Sequence, residues 1–192
     1  KAKVGDIVSL TLVSSETITN PPTISILGNT ITPTGSGTNW SGVHTLQEGD
    51  TEGTISFSIS FEDLSANPGL DVITTTDASE VIFDKSATDL SAVTIDLQSG
   101  SDSGESSTDN LTNNTTPTFT ITGLTSGINA VGDSLFLILD GSDTLSRDLV
   151  VSGTLYLTSV VIPHQAIAYE LTVVSRDGAG NLSDASSGLS IR

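Results

Sequence analysis

The 192-residue chain contains no cysteine and no methionine. Without cysteine it has no disulfide staples, so stability in an oxidising compartment must come from packing or from bound metal ions. Aromatic residues are only 4% of the chain, with a single tryptophan, so the core has to be built from Val, Ile and Leu. Basic residues are scarce: six Lys and Arg stand against 23 Asp and Glu, a net charge of −17. Phosphate backbones are gripped by clustered Lys and Arg, so nucleic acid is a poor partner, and anionic membrane surfaces are disfavoured for the same reason. No run approaches the roughly 18 apolar residues of a membrane-spanning helix, and membrane insertion is not expected. No secretory-leader pattern precedes the first strand-like segment; the chain reads as a piece of something longer.

Catalytic equipment is equally thin. His44 and His164 are the only histidines. Neither sits in a nucleophile elbow, a Ser-His-Asp arrangement or a zinc-type His pair. His44 is expected at a surface or strand edge and His164 at a turn after Pro163. Glu62 and Asp63 are adjacent, and neighbours on a strand point to opposite faces, which suits no glycosidase pair. The chain is therefore expected not to be an enzyme. Trp40 is expected to pack in a core rather than to stack on a sugar. A Lys–Asn crosslink through Lys3 or Lys85 is disfavoured, because neither lies mid-strand beside a buried acid.

What the chain does have is alternation. Val8, Leu10 and Leu12 alternate with Ser9 and Thr11; Phe57, Ile59 and Phe61 with Ser58 and Ser60; Tyr169, Leu171 and Val173 with Glu170 and Thr172. Period-two patterning sends one set of side chains to a core and the other to water. Turn clusters separate these runs, among them Asn20-Pro21-Pro22, Glu48-Gly49-Asp50 and Asp177-Gly178. No stretch keeps helical spacing. Short strands with turns at regular intervals predict an all-β sandwich or barrel.

The chain also repeats. An alternating strand ends at Asp63 and another at Asp177, each followed four residues later by an asparagine, Asn67 and Asn181; both pairs are related by 114 residues. A strand-rich segment follows each turn, Val72 to Phe83 and Leu182 to Ile191. Two copies of one module are predicted, over residues 1–86 and 87–192. Gln98 to Thr116 is nearly free of apolar residues and is either a linker or a long ordered loop; the ordered loop is preferred.

The stretch Ser101-Asp102-Ser103-Gly104 through Thr108-Asp109-Asn110-Leu111-Thr112 resembles the opening of the immunoglobulin-like repeats of giant bacterial surface adhesins and biofilm-associated (repeats-in-toxin type) proteins. Arg176-Asp177-Gly178-Ala179-Gly180-Asn181 is similar to the turn before their last strand. The first half, with Lys3-Val4-Gly5-Asp6, Glu48-Gly49-Asp50 and Phe61-Glu62-Asp63, resembles a sister repeat that starts at its second strand, so the opening edge strand of that module is expected to be missing. Asp143 to His164 matches only loosely. The resemblance implies two tandem immunoglobulin-like β-sandwich domains in an extracellular or cell-surface string of modules, with calcium at module junctions.

Calcium takes six to eight hard oxygen ligands. Asp96, Asp102, Asp109 and Asn110 offer such oxygens on one stretch, with Ser103 and Gly104 letting the backbone turn. Asp63 and Asn67, and Asp177 and Asn181, are the further candidate ligands, on the turn at the opposite end of each module. The helix-loop-helix calcium spacing is absent, and Asp-rich loops are also ordinary solvated turns. The expected role is a calcium-stiffened, monomeric spacer whose partners are neighbouring repeats of the same chain. The rival is a module that grips a host or matrix glycan or protein, using Leu145, Arg147, Leu155, Tyr156 and His164. A third reading is an accessory domain of a secreted polysaccharide-active enzyme.

Overall fold

The computed structural model describes residues 1–18, 20–124, 133–149, 153–157, 161–162 and 168–192. They contain strands, turns and bends and no helix. The chain divides into two compact units, Lys1–Lys85 and Ser86–Arg192.

The second unit is a two-layer sandwich. One sheet runs β13 (Gly153–Leu157), β10 (Phe119–Leu124), β9 (Thr94–Leu97), and the other runs β12 (Asp143–Leu149), β11 (Ser134–Leu139), β14 (Tyr169–Arg176), β15 (Leu189–Ile191). All pairings are antiparallel. The alternation along β14 is realised in full: Tyr169, Leu171 and Val173 are buried, and Glu170 is exposed. Facing them from the other layer are Ile95 and Leu97 of β9 and Phe119 and Ile121 of β10, in one continuous apolar cluster. Phe119, Ile121, Leu171 and Val173 are completely inaccessible to solvent. Burying such a side chain contributes about 1.5–3 kcal/mol, which is how a core with few aromatics still holds.

β9 is kept against β10 by a detail of the chain. Phe119 to Thr122 pair with Leu97 to Thr94 of β9, while on the other flank the pairing of β10 with β13 shifts register between Ile121 and Leu124. Gly123 sits at the shift with φ of +79°, and a Cβ there would lie 2.1 Å from the carbonyl oxygen of Ala92. Only glycine permits both the bulge and the close approach.

The first unit has sheets β1 (Ile7–Val13), β5 (Asn39–Thr45), β4 (Thr34–Ser36) and β3 (Asn29–Ile31), β2 (Thr23–Ile26), β7 (Phe57–Ser60), with a two-stranded pair β6 (Gly53–Thr54) and β8 (Ile82–Phe83). Ile24, Ile26, Ile31 and Ile59 form its central cluster; Ala2, Leu46 and Phe83 form a second. Trp40 is buried on β5 and donates its indole N–H to the Gly37 carbonyl at 3.1 Å, so it is a core residue, as its alternating context predicts. The segments expected as strands from Val72 to Phe83 and from Leu182 to Ile191 are mostly irregular, reduced to bridges at Val72 and Leu182 and to the short β8 and β15. Isolated bonds replace the ladder: Ser183 N–H donates to the Ser175 carbonyl and Ser186 N–H to the Val173 carbonyl, while the Ser183 and Ser186 hydroxyl oxygens accept from Ser175 and Val173 N–H.

The repeat seen in sequence is also present in the backbone. Ala66 N–H donates to the Asp63 carbonyl and Gly180 N–H to the Asp177 carbonyl, both at 3.0 Å. Both acceptors of this tight turn are followed by a left-handed residue, φ +62° at Ala66 and +93° at Gly180. Glycine carries no steric cost there and alanine does. Ala66→Gly is therefore expected to stabilise the first unit by about 0.5–1 kcal/mol, and Gly123→Ala to destabilise the second by about 2 kcal/mol or more; urea titration of each single variant checks both.

Candidate functional site

The stretch from Gln98 to Thr116 is an ordered loop. Its first turn is closed by Ser101 and Asp102, whose N–H groups both donate to the Gln98 carbonyl at 2.7 and 2.9 Å. Ser101 is buried; its hydroxyl oxygen accepts from Thr118 N–H at 2.9 Å, and its carbonyl accepts from the Thr112 hydroxyl at 2.6 Å. The far side of the loop is laced to the last residue of the chain: Thr112 N–H donates to the Arg192 carbonyl at 2.8 Å, and Arg192 N–H to the Asn110 carbonyl at 3.1 Å. Asn110 takes φ of +58°, a left-handed conformation that asparagine tolerates.

Within this frame Asp102 and Asn110 meet. Asp102 is only 6% exposed, and its Oδ2 accepts from Asn110 N–H at 3.2 Å. Its other oxygen, Oδ1, is buried with no hydrogen-bond partner, and so is the side-chain oxygen Oδ1 of Asn110. A buried acceptor without a donor costs about 1–3 kcal/mol, and more when charged. Two such oxygens, on Asp102 and Asn110, leave room for a donor or an ion between these residues. Asp109 lies beside them but faces outward: Oδ2 accepts from Ser106 N–H and Oδ1 from Leu111 N–H, each at 3.2 Å. A Cβ on Gly104 would come within 2.8 Å of that carboxylate, so the glycine keeps the loop closed over Asp109. Asp96 stands on β9 opposite Thr120, on the exposed side of the strand. Among the described residues no group of three or more His, Asp or Glu side chains gathers into a ready cage.

The paired candidates on the other turns use their oxygens differently. Asp177 Oδ1 accepts from Ala179 N–H at 2.9 Å and Asn181 N–H at 2.8 Å, and its Oδ2 from the Asn181 side-chain amide at 2.8 Å. Asp63 makes the same three bonds, with Ser65 N–H, Asn67 N–H and the Asn67 amide, at 2.8, 2.9 and 2.8 Å. In both pairs the asparagine presents its NH2 to the carboxylate. Each is a self-contained staple across the turn, and the Asn67 side chain foremost, with its backbone and that of Ser65, holds the Asp63 carboxyl below the usual range. Asp177 lies at the end of β14 remote from Tyr169, which pairs with Ile191 next to Arg192; the staple and the 98–112 loop therefore occupy opposite ends of the second unit.

Of the residues proposed for a ligand face, His164 lies outside the described residues. Leu145 is partly buried and packs against the core. Arg147 is on β12 and Leu155 and Tyr156 on β13, strands that belong to different sheets.

One polar cluster escaped the sequence reading. His44 was expected at a surface or edge; instead it lies on the central strand β5, its side chain only 10% exposed, with Nε2 2.7 Å from Asp50 Oδ2. Asp50 also accepts from Gln47 N–H at 2.8 Å and from the Asn29 amide at 2.9 Å. Lys85 donates its ammonium to the carbonyls of Glu48 at 2.6 Å and Asp50 at 3.0 Å. The signal was parity: His44 shares its face of the strand with the buried Trp40 and Leu46. Burial tends to raise the Asp50 carboxyl, but the hydrogen bonds from Gln47, His44 and Asn29 outweigh it and hold the group below its ordinary value of 3.8.

Residues 89–192 match the family described as the bacterial Ig-like domain. The chain belongs to that family. No curated protein matches the chain. Among solved structures, the BSP domain of a biofilm-associated protein is similar at 12% identity and a TM-score of 0.32, over 99% of this chain and 28% of that one. A Bacteroides ovatus protein, SGBP-B of the mixed-linkage glucan utilization locus, solved in complex with a mixed-linkage heptasaccharide, is similar at 20% identity and a TM-score of 0.27. That alignment covers 100% of this chain and 43% of the other. The major pilin subunit of Bacillus cereus follows at 10% identity and a TM-score of 0.20, over 97% of this chain and 55% of that one. The chain thus spans about a quarter of the first and under half of the second.

A carboxyl depressed in the folded state adds stability above its unfolded value and loses it as pH falls. The Asp50 contribution is thus fully present well above its ordinary value of 3.8 and is lost as pH falls through 3.8 and the lower folded value. Asp50→Ala, which strands His44 and Asn29, is expected to cost about 2–3 kcal/mol at neutral pH and to flatten this acid dependence. Urea unfolding followed by Trp40 fluorescence between pH 2.5 and 7 measures both.

Proposed function

We propose that this chain is a non-catalytic, tandem immunoglobulin-like spacer from a bacterial surface or secreted adhesin, and that calcium bound at the 98–112 loop stiffens it. The observation that carries this reading is the pair of buried, partnerless oxygens on Asp102 and Asn110. Oxygen donors of this kind, one of them a carboxylate, match the preference of calcium for hard ligands and exclude softer metals that favour Cys or His. Asp102 and Asn110 would hold the ion, and Asp109 precedes Asn110 in the chain; water and backbone carbonyls complete such sites. When bound, the ion supplies charge neutralisation and a crosslink across the loop. The residues of this chain do the rest: the bonds from Arg192 to Asn110 and Thr112 tie the loop to the end of the last strand, so ordering the loop also orders the point where the chain leaves the unit.

The tandem reading is supported by the matching Asp63–Asn67 and Asp177–Asn181 staples. The acidity favours extracellular solvation and cation binding, because like charges repel in the compact state until counterions reduce the repulsion. The family to which the chain belongs gives the type of module; the adhesin context, the surface address and the partnership with neighbouring repeats are part of the proposal.

Ligand binding to the folded state alone adds about 2.7 kcal/mol at a hundredfold excess over Kd. Millimolar calcium against excess chelator is therefore expected to raise the melting temperature of the second unit by roughly 10 °C. Asp102→Ala is expected to abolish that shift, while Asp177→Ala lowers stability equally with and without calcium. Calorimetry of the three proteins tests this; no calcium shift in the unaltered chain defeats the metal assignment and leaves the loop as a hydrogen-bonded turn.

A further inference from the structure

The six Lys and Arg residues are Lys1, Lys3, Lys85, Arg147, Arg176 and Arg192. Arg147 and Arg176 lie on strands of the second unit, and Lys85 is the last residue of the first. Cleavage after Lys85 is therefore the one cut after a basic residue that parts the two units from each other.

The backbone at this point is of the kind that proteases choose. Residues 84–90 form no strand or turn, and Ser86, Ala87 and Asp89 are exposed. Exposed boundaries between compact units are where nicking concentrates. A protease that cuts after lysine needs more than an open backbone, however. The lysine side chain has to leave the substrate and enter the specificity pocket of the enzyme.

The Lys85 side chain is engaged elsewhere. Its ammonium sits on two backbone carbonyls, those of Glu48 at 2.6 Å and Asp50 at 3.0 Å, and its own N–H donates to Glu52 Oε1 at 2.8 Å. Bonds from an ionised donor are roughly twice as strong as neutral ones. The seat itself is firm. Asp50 N–H closes the turn on the Gln47 carbonyl at 3.0 Å. The Asp50 carboxylate is held in turn by Asn29 on β3 and His44 on β5, strands of different sheets. Just upstream, Asp84 N–H donates to the Ala2 carbonyl at 2.9 Å.

We propose that Lys85 is a clasped cleavage site for a trypsin-type protease: the seat on Glu48 and Asp50 withdraws its side chain and keeps closed the one basic cleavage point between the units. The two units stay joined while the 47–50 turn is intact, and loosening that turn exposes the site. The clasp uses a tethered ammonium and no metal, so it is independent of the calcium reading of the second unit.

The test follows trypsin cleavage at Lys85 by intact mass, with chelator present throughout, in the full chain and in its Glu52→Ala, Asp50→Asn and Glu80→Gln variants. The peptide of residues 81–90 gives the rate of the same bond without a seat and with the same acidic neighbours. Acetic anhydride labelling of the Lys85 amine reports the side chain itself. Hydrogen exchange of the β5 amides reports unfolding of the first unit. In the unaltered chain, cleavage about a hundredfold slower and labelling about tenfold slower than in the peptide are expected. Glu52→Ala and Asp50→Asn are each expected to speed cleavage and labelling about tenfold beyond any change in β5 exchange, and Glu80→Gln to change neither. The proposal is overturned if Lys85 in the unaltered chain is labelled as fast as in the peptide. It is equally overturned if cleavage in the two seat variants rises only in step with β5 exchange, which would make unfolding of the unit, and not the clasp, the control.

Discussion

The constraint on which the rest depends is the closure of an aliphatic core by strands alone. With neither disulfides nor more than a few aromatics, each unit has to bring two alternating faces together and then cover every edge through which water could reach them. In the second unit Phe119 and Ile121 meet Leu171 and Val173, and β9 closes the side. The bulge at Gly123 is part of the same requirement, since β9 reaches its place only because no side chain intervenes at Ala92. Loops then follow from where the strands end. The 98–112 loop is ordered because both of its arms are anchored, one by Ser101 to Thr118 and the other to Arg192.

Identical residue types play two physical roles here, and hydrogen-bond bookkeeping separates them. Asp63 and Asp177 have donors on both carboxylate oxygens, supplied within four residues by backbone and asparagine side chain. They finish a turn and need nothing further. Asp102 has one oxygen engaged and one buried without a donor. A carboxylate oxygen in that condition is costly until a donor or a cation completes it.

Much of this was legible in the sequence, because alternation and the repeated Asp-x-x-x-Asn turn are local signals. Leu171 and Val173 are where period two puts them, and Trp40 is core by the same rule. The order of the 98–116 loop was anticipated from resemblance, whereas its composition alone argued for a linker. What composition could not distinguish was Asp102 from Asp109, seven residues apart, one buried and one exposed; that depends on which carbonyl Asp102 N–H finds, here Gln98. Nor could it foresee His44. A histidine within an alternating strand reads as an edge residue until the strand proves to be central and an aspartate six residues later turns back to meet it.

The parallel bridge between Ala2 and Phe83 gives the first unit a directional strength. Because the two segments run the same way, the chain leaves the bridge in opposite directions, towards Lys1 on one side and Lys85 on the other. Tension between those ends slides the segments lengthwise, and the bonds of Ala2 to Ile82 and Asp84 share the load with the 2.8 Å ion pair of Lys1 and Asp84. An antiparallel pair pulled from its open end yields one bond at a time, whereas here the two bonds of the bridge are loaded together.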